Sequence, residues 1–157
     1  MTIAPTAETK QRDTAVRTLE HEIGLLLRRI RRGIAERAVQ VHPELNATSY
    51  SLLTTLSDFG PRRAADLAEL FAMDKGTVSR VVHQLVELGL VDRSPDPGDG
   101  RASILSVTKA GTRRLGHMHE RTRELFGERL ADWPAEDIED LAIALSRFNT
   151  AVFDAAV

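Results

Sequence analysis

A chain of 157 residues with 42% hydrophobic content can bury one core plus an appendage. It has no cysteine, which excludes disulfides, zinc–thiolate sites and thiol-based redox sensing, and its 4% aromatic content favours duplex contact over stacking on single strands. The net charge of −2 hides a division: residues 10–114 carry 17 basic and 13 acidic side chains and residues 120–157 carry 4 and 9, so a phosphate-seeking surface belongs to the first part and the acidic end should point away from it.

Residues 1–10 show no periodicity and are expected to form a flexible arm. Val16, Leu19, Ile23, Leu26, Leu27, Ile30, Ile34 and Ala38 then keep helical spacing until His42-Pro43 disfavours continuation, which predicts one helix over residues 11–42. A helix this long cannot bury its stripe against one small head, so packing against a second subunit is expected. Its Arg28-Arg29 and Arg31-Arg32 doublets suit a solvated or inter-subunit face, with contact to DNA as the alternative. Asn46 can cap a second helix that buries Leu52, Leu53, Leu56 and Phe59 before Gly60-Pro61 breaks the pattern. A short third helix, about 64–71, presents Leu67 and Phe71 inward.

The fourth helix is bracketed by Asp74, a strong N-cap, and Gly89, placed where a left-handed residue ends a helix. Val78, Val81, Val82, Leu85 and Leu88 form its apolar stripe. At roughly 100° per residue the opposite face carries Gly76, Ser79, Arg80 and His83, flanked by Lys75, Thr77 and Gln84. Short hydrogen-bonding side chains with an Arg near a helix start suit the major groove, which displays donors and acceptors to such groups. An ordinary solvated face would look similar. Leu90, Val91 and Arg93, then the turn formers of residues 94–100, then Ile104, Leu105 and Val107 predict a hairpin with a long rigid tip. Arg101 lies at the return of that tip, with Asp99 close enough in sequence to orient it, and an Arg on a narrow ribbon suits a minor groove.

Leu67-Ala68, the run Phe71–Arg80 (FAMDKGTVSR), Leu85–Arg93, Asp99-Gly100-Arg101 and Val107–Gly111 (VTKAG) together resemble the MarR family of bacterial winged helix-turn-helix regulators. The resemblance spans residues 45–111 by motif. It implies a mainly α fold with a small β-wing, in which the DNA-binding domain is flanked by N- and C-terminal dimerisation helices, 11–42 and 112–157. It implies base and phosphate contacts from Lys75, Thr77, Ser79 and Arg80, and a minor-groove contact from Arg101. Two positions depart from the family pattern. The third helix usually opens on Ser or Thr, whereas this chain has Pro61-Arg62-Arg63, a weaker cap that points to a phosphate contact from Arg62 or Arg63. The inter-helix turn usually has Gly where Ala72 stands.

After the wing, Thr108 can cap a fifth helix with Leu115, Met118, Leu125 and Phe126 on one side, and Trp133-Pro134 marks the next turn. The last helix carries Ile138, Leu141, Leu145, Phe148 and Val152 at spacings of three and four, a stripe expected to interlock with the first helix of a partner chain. The five histidines lack metal-ligand spacing: His117 and His119, two apart, point to different sides of a helix. No nucleophile elbow or phosphate-cradling glycine loop occurs, so an enzyme is not expected, and neither is a cofactor. The family resemblance also implies an effector cavity near Arg28, Tyr50 and Phe59, beside the plainer reading of Tyr50 as a core residue. No run of about 18 apolar residues exists and the N-terminus lacks the apolar centre of a signal peptide, so a cytoplasmic protein without membrane contact is expected. The expected function is that of a homodimeric regulator, a repressor, on a pseudo-palindromic duplex operator, responsive to a small-molecule effector. A winged-helix module that docks a protein through the same face remains the alternative.

Overall fold

The computed structural model describes residues 6–153, the side chains of residues 100, 101 and 153 excepted. Among the described residues, six helices and three short strands follow one another as α1 (Ala7–Val41), α2 (Ala47–Phe59), β1 (Arg62–Arg63), α3 (Ala64–Leu70), α4 (Lys75–Glu87), β2 (Val91–Asp96), β3 (Asp99–Val107), α5 (Lys109–Arg129) and α6 (Ala135–Phe153). They fall into two compact units dividing after Met118, with α5 running across the division. The mainly helical fold with a small wing is the one expected.

Each boundary has a local cause. The Thr6 side chain accepts from the Thr9 N–H, so α1 begins at Ala7 and the last residues of the expected arm are helical; residues 1–5 lie outside the described residues. α1 stops at His42, ahead of Pro43. Asn46 accepts from the Ser49 N–H at 2.9 Å and caps α2, and Gly60, with φ +80°, ends it. α3 and α4 close with the same pair of hydrogen bonds. At the end of α4 the Gly89 N–H reaches Val86 O and the Leu90 N–H reaches Leu85 O, around a glycine at φ +65°. At the end of α3 the Ala72 N–H reaches Glu69 O and the Met73 N–H reaches Ala68 O. Here the left-handed residue is Ala72, at φ +49°, and among the described residues it alone has positive φ without being glycine. The departure from the family pattern is thus absorbed as backbone strain, since a Cβ disfavours this region.

The sheet has the order β1-β3-β2, all antiparallel, with Arg63 opposite Ile104 and Val91 opposite Val107. β1 has no counterpart among the predicted elements, because two residues carry no readable alternation. The wing tip also differs from expectation. β2 continues through Ser94 and Pro95 to Asp96, β3 starts at Asp99, and the turn is only Pro97-Gly98. Asp96 Oδ1 accepts from the Gly98 N–H at 2.7 Å and closes that turn through its side chain.

The core of the first unit is built from Leu52, Leu53 and Leu56 of α2, Leu67 of α3, Val78, Val82 and Leu85 of α4, Leu90, Leu105 of β3, and Leu115 of α5, all nearly or fully buried. Each such side chain contributes on the order of 1.5–3 kcal/mol relative to exposure. Phe59 does not join them. It is 69% exposed at the end of α2, a correction to its expected burial: helical spacing from Leu56 carries it past the edge of the small domain. Thr108 locks the wing to α5, donating from its hydroxyl to Gly89 O at 2.7 Å and accepting from the Gly111 N–H at 3.0 Å. Gly111 packs so closely on the turn after α4 that a Cβ there would lie 2.5 Å from Leu90 O. Arg114 reaches back to Val41 O at 2.9 Å and secures the end of α1.

Most of α1 lies outside this core. Only Ala38 and Val41 are buried, while Val16, Leu19, Leu26, Leu27 and Ile30 are exposed in the single chain. In the second unit, Leu125, Phe126, Ile138, Leu141, Leu145 and Val152 are exposed as well. No helix among the described residues is long and apolar enough to cross a membrane.

Candidate nucleic-acid interface

α4 supplies the centre of the site, and its sequence produces two faces. Val78, Val81, Val82 and Leu85 are buried; Lys75, Gly76, Ser79, Arg80 and His83 are exposed. Asp74 anchors the start. Its Oδ1 accepts from the Thr77 N–H at 2.9 Å and its Oδ2 accepts from the Thr77 hydroxyl at 2.6 Å. The Thr77 hydroxyl, its backbone N–H and that of Gly76 hold the Asp74 carboxyl below the usual carboxylate range. Arg80, one turn on, donates from Nη2 to the Thr77 hydroxyl oxygen at 3.1 Å. The expected base or phosphate contact from Thr77 therefore meets a hydroxyl already engaged on two sides. His83 lies 3.2 Å from Glu87 on the same exposed face.

Gln84 was grouped with this face from its position in the sequence, and the structure places it elsewhere. Its Nε2 donates to Glu44 O at 2.8 Å and its Oε1 accepts from the buried Ser49 hydroxyl at 2.8 Å. Both ends of the amide tie α4 to the start of α2, which removes Gln84 from the set of candidate readers.

The two arginines before α3 have similar fates. Arg63 Nε donates to Asp96 Oδ2 at 2.5 Å, a contact 33 residues apart in sequence that joins the α3 start to the wing tip. Asp96 is only 7% exposed. The Gly98 N–H and then the Arg63 guanidinium hold its carboxyl below the usual range, and the bond from Asp96 in turn raises Arg63. The Arg63 N–H also donates to Asp66 Oδ2 at 3.3 Å, the reciprocal half of a capping box, while the Arg63 side chain makes no cap bond of the kind a Ser or Thr would. Arg62 lays its guanidinium 5.6 Å from the centre of the exposed Phe59 ring, and its Nε is buried with no hydrogen-bond partner among the described residues. Any phosphate contact from Arg62 is left to its terminal nitrogens.

A concavity opens between α3, α4 and the wing, lined among others by Arg63, Lys75, Ser79, Arg93 and Asp99. Arg93 is a basic member that sequence reasoning overlooked, having served there only as a strand residue. The signal was a basic residue in the strand that directly follows α4. The expected Asp99–Arg101 contact falls on the Arg101 side chain, outside the described residues. Of the residues expected beside an effector cavity, Tyr50 is 5% exposed in the core, Phe59 stands out from α2, and Arg28 is exposed on α1. Burial, the largest cause, pushes the Tyr50 hydroxyl pKa up. Among the described residues no cluster of three His, Cys, Asp or Glu could hold a metal ion.

The family model described as MarR family matches residues 45–103, from just before α2 into β3. A relative from Bacillus subtilis (strain 168), the uncharacterized HTH-type transcriptional regulator YxaD, is 32% identical over 144 residues, which is 92% of this chain and 99% of the relative. The chain belongs to the MarR family. As a MarR-family transcriptional regulator it also shares 35% identity over 83 residues with the HTH-type transcriptional repressor NicR of Pseudomonas putida, 53% of this chain and 52% of that one. Among solved structures, RV1404 from Mycobacterium tuberculosis superposes with a TM-score of 0.73 at 25% identity, covering 98% of this chain and 99% of the other. A mutant MarR from E. coli complexed with operator DNA has the same fold, with a TM-score of 0.61 at 20% identity over 85% of this chain and 95% of that one. The family model leaves out α1, α5 and α6, whose helical form rests on the structure.

Proposed function

We propose that the chain acts as a homodimer that binds a pseudo-palindromic duplex and represses transcription there. The observation that carries this reading is the exposed Lys75-Gly76-Ser79-Arg80-His83 face of α4 beside a concavity lined by Arg63, Lys75 and Arg93. Arg80 and Ser79 are assigned to base edges in the major groove, and Lys75, Arg93 and the terminal nitrogens of Arg62 to phosphates. Arg101 is assigned to the flanking minor groove. Dimerisation is supported by the apolar residues that α1 and α6 leave exposed, which a second copy would cover. The repressor mode is supported by relatives named as repressors, NicR and IacR. Release by a small molecule would act through differential binding to two protomer separations, since the chain has no thiol to oxidise.

Hydroxyl-radical footprinting on a duplex selected from a random pool tests the reading. Two protected patches centred about 34 Å apart, one helical turn, with protein that elutes as a dimer, are expected. A single patch, or a monomer that binds undiminished, would contradict it. Leu141→Glu should convert the protein to monomer and weaken operator binding strongly.

A further inference from the structure

Arg80 is the exposed cation best placed on α4 to read a base, yet a free arginine side chain loses much rotamer freedom when it docks. Three residues at successive turns address this cost. Asp74, Thr77 and Arg80 follow one another at intervals of three and so share one face of the helix. A hydroxyl has one proton and two lone pairs. The Thr77 proton goes to Asp74 Oδ2 at 2.6 Å, and a lone pair accepts from Arg80 Nη2 at 3.1 Å. Because the same Asp74 also grips the Thr77 N–H at 2.9 Å, the threonine rotamer is fixed from both its backbone and its side chain.

We propose that Asp74, Thr77 and Arg80 form a relay in which the N-cap carboxylate sets the threonine hydroxyl and the hydroxyl aims the guanidinium at a base, so that Thr77 is a specificity-determining positioning residue rather than a DNA contact. Bonding to a carboxylate polarises the hydroxyl and makes its oxygen a better acceptor for the arginine. Bonding through one Nη2 hydrogen leaves the other Nη2 hydrogen free, so a parallel N–H pair that includes Nη2 is still available to read guanine. The relay rests on the duplex-reading function proposed above and adds the means by which Arg80 discriminates.

The test compares affinity for a duplex enriched by in vitro selection with affinity for a shuffled duplex of the same composition. Fluorescence anisotropy at one fixed salt gives both for wild type, Thr77→Val, Thr77→Ser, Arg80→Ala and Thr77→Val/Arg80→Ala. Partial unfolding lowers both affinities alike and leaves their ratio unchanged, so the ratio reports positioning and not stability. Thr77→Val should lose roughly 10-fold of the ratio, a share of the discrimination typical of one bidentate arginine–guanine contact. Thr77→Ser, which keeps the hydroxyl, should stay within about 2-fold of wild type, and the double variant should be no worse than Arg80→Ala, as expected for coupled sites. A Thr77→Val ratio equal to wild type, or additive losses in the double variant, overturns the relay while leaving the duplex reading intact. A selection on wild type that enriches no sequence overturns both.

Discussion

Arg63 Nε donates to Asp96 Oδ2 at 2.5 Å, fastening the N-cap of α3 to the tip of the wing. Asp96 is nearly buried and also closes the Pro97-Gly98 turn through the Gly98 N–H. One carboxylate therefore shapes the turn and ties it to the helix pair. Asp96→Asn and Arg63→Ala should each lower the urea midpoint at pH 7 and weaken binding to all duplexes, because the wing loses its anchor on the helix-turn-helix. The folded Asp96 pKa is depressed, so its contribution is present above the unfolded value of about 3.9 and is lost as pH falls through the folded value. Midpoints of wild type and Asp96→Asn should thus begin to converge as pH falls below about 4 and meet below the depressed folded value. A gap that persists unchanged into acid would contradict the ion-pair account.

Ala72 holds φ +49° where the closing bonds of α3 call for a residue without a Cβ. Left-handed geometry costs an ordinary residue about 1–2 kcal/mol, and glycine's greater freedom when unfolded returns part of that. Ala72→Gly should raise stability by roughly 0.5–1 kcal/mol, read as a higher denaturant midpoint at unchanged slope. A lower midpoint would mean that the turn is not strained.

Gly111 carries the opposite sign. A Cβ there would meet Leu90 O at 2.5 Å, backbone that cannot yield cheaply, and the Val107 side chain at Cγ1 at 2.7 Å. Gly111→Ala should cost about 1–3 kcal/mol. Gly116, also on α5, has no atom within 4 Å of an added Cβ, so Gly116→Ala should be neutral or stabilising by up to about 1 kcal/mol. Equal effects from the two, measured by chemical denaturation, would contradict the packing described.

Gln84 bridges Glu44 O and the buried Ser49 hydroxyl. Gln84→Leu should cost about 1–3 kcal/mol by leaving these groups unpaired, yet keep the ratio of specific to shuffled duplex affinity. A changed ratio would return Gln84 to the reading face.

Local signals account for what could be read from the sequence. The two faces of α4, the Asp74 cap, the Gly89 stop and the Thr108 cap each depend on residues within a turn or two of one another, and the structure has all of them. The roles of Arg63, Gln84 and Phe59 were not legible because tertiary contacts or the domain edge decide them. Arg63 finds its partner 33 residues away, Gln84 finds partners 35 and 40 away, and Phe59 keeps helical phase but runs out of domain to pack against. The tip was read as long because Ser94 and Pro95 are turn formers; pairing with Ile104 and Ser103 draws them into the ladder instead.

The central claim is that basic groups around α4 engage duplex phosphates while Arg80 reads sequence. Its most direct test is a salt titration of binding to the selected duplex, repeated with Arg80→Ala. At four or more phosphates neutralised per dimer, affinity should fall by roughly 100-fold or more between about 50 and 200 mM salt. Arg80→Ala should lower the ratio of selected to shuffled affinity by roughly 10-fold or more. Binding indifferent to salt, or a selected-to-shuffled ratio that Arg80→Ala leaves unchanged, would contradict the account.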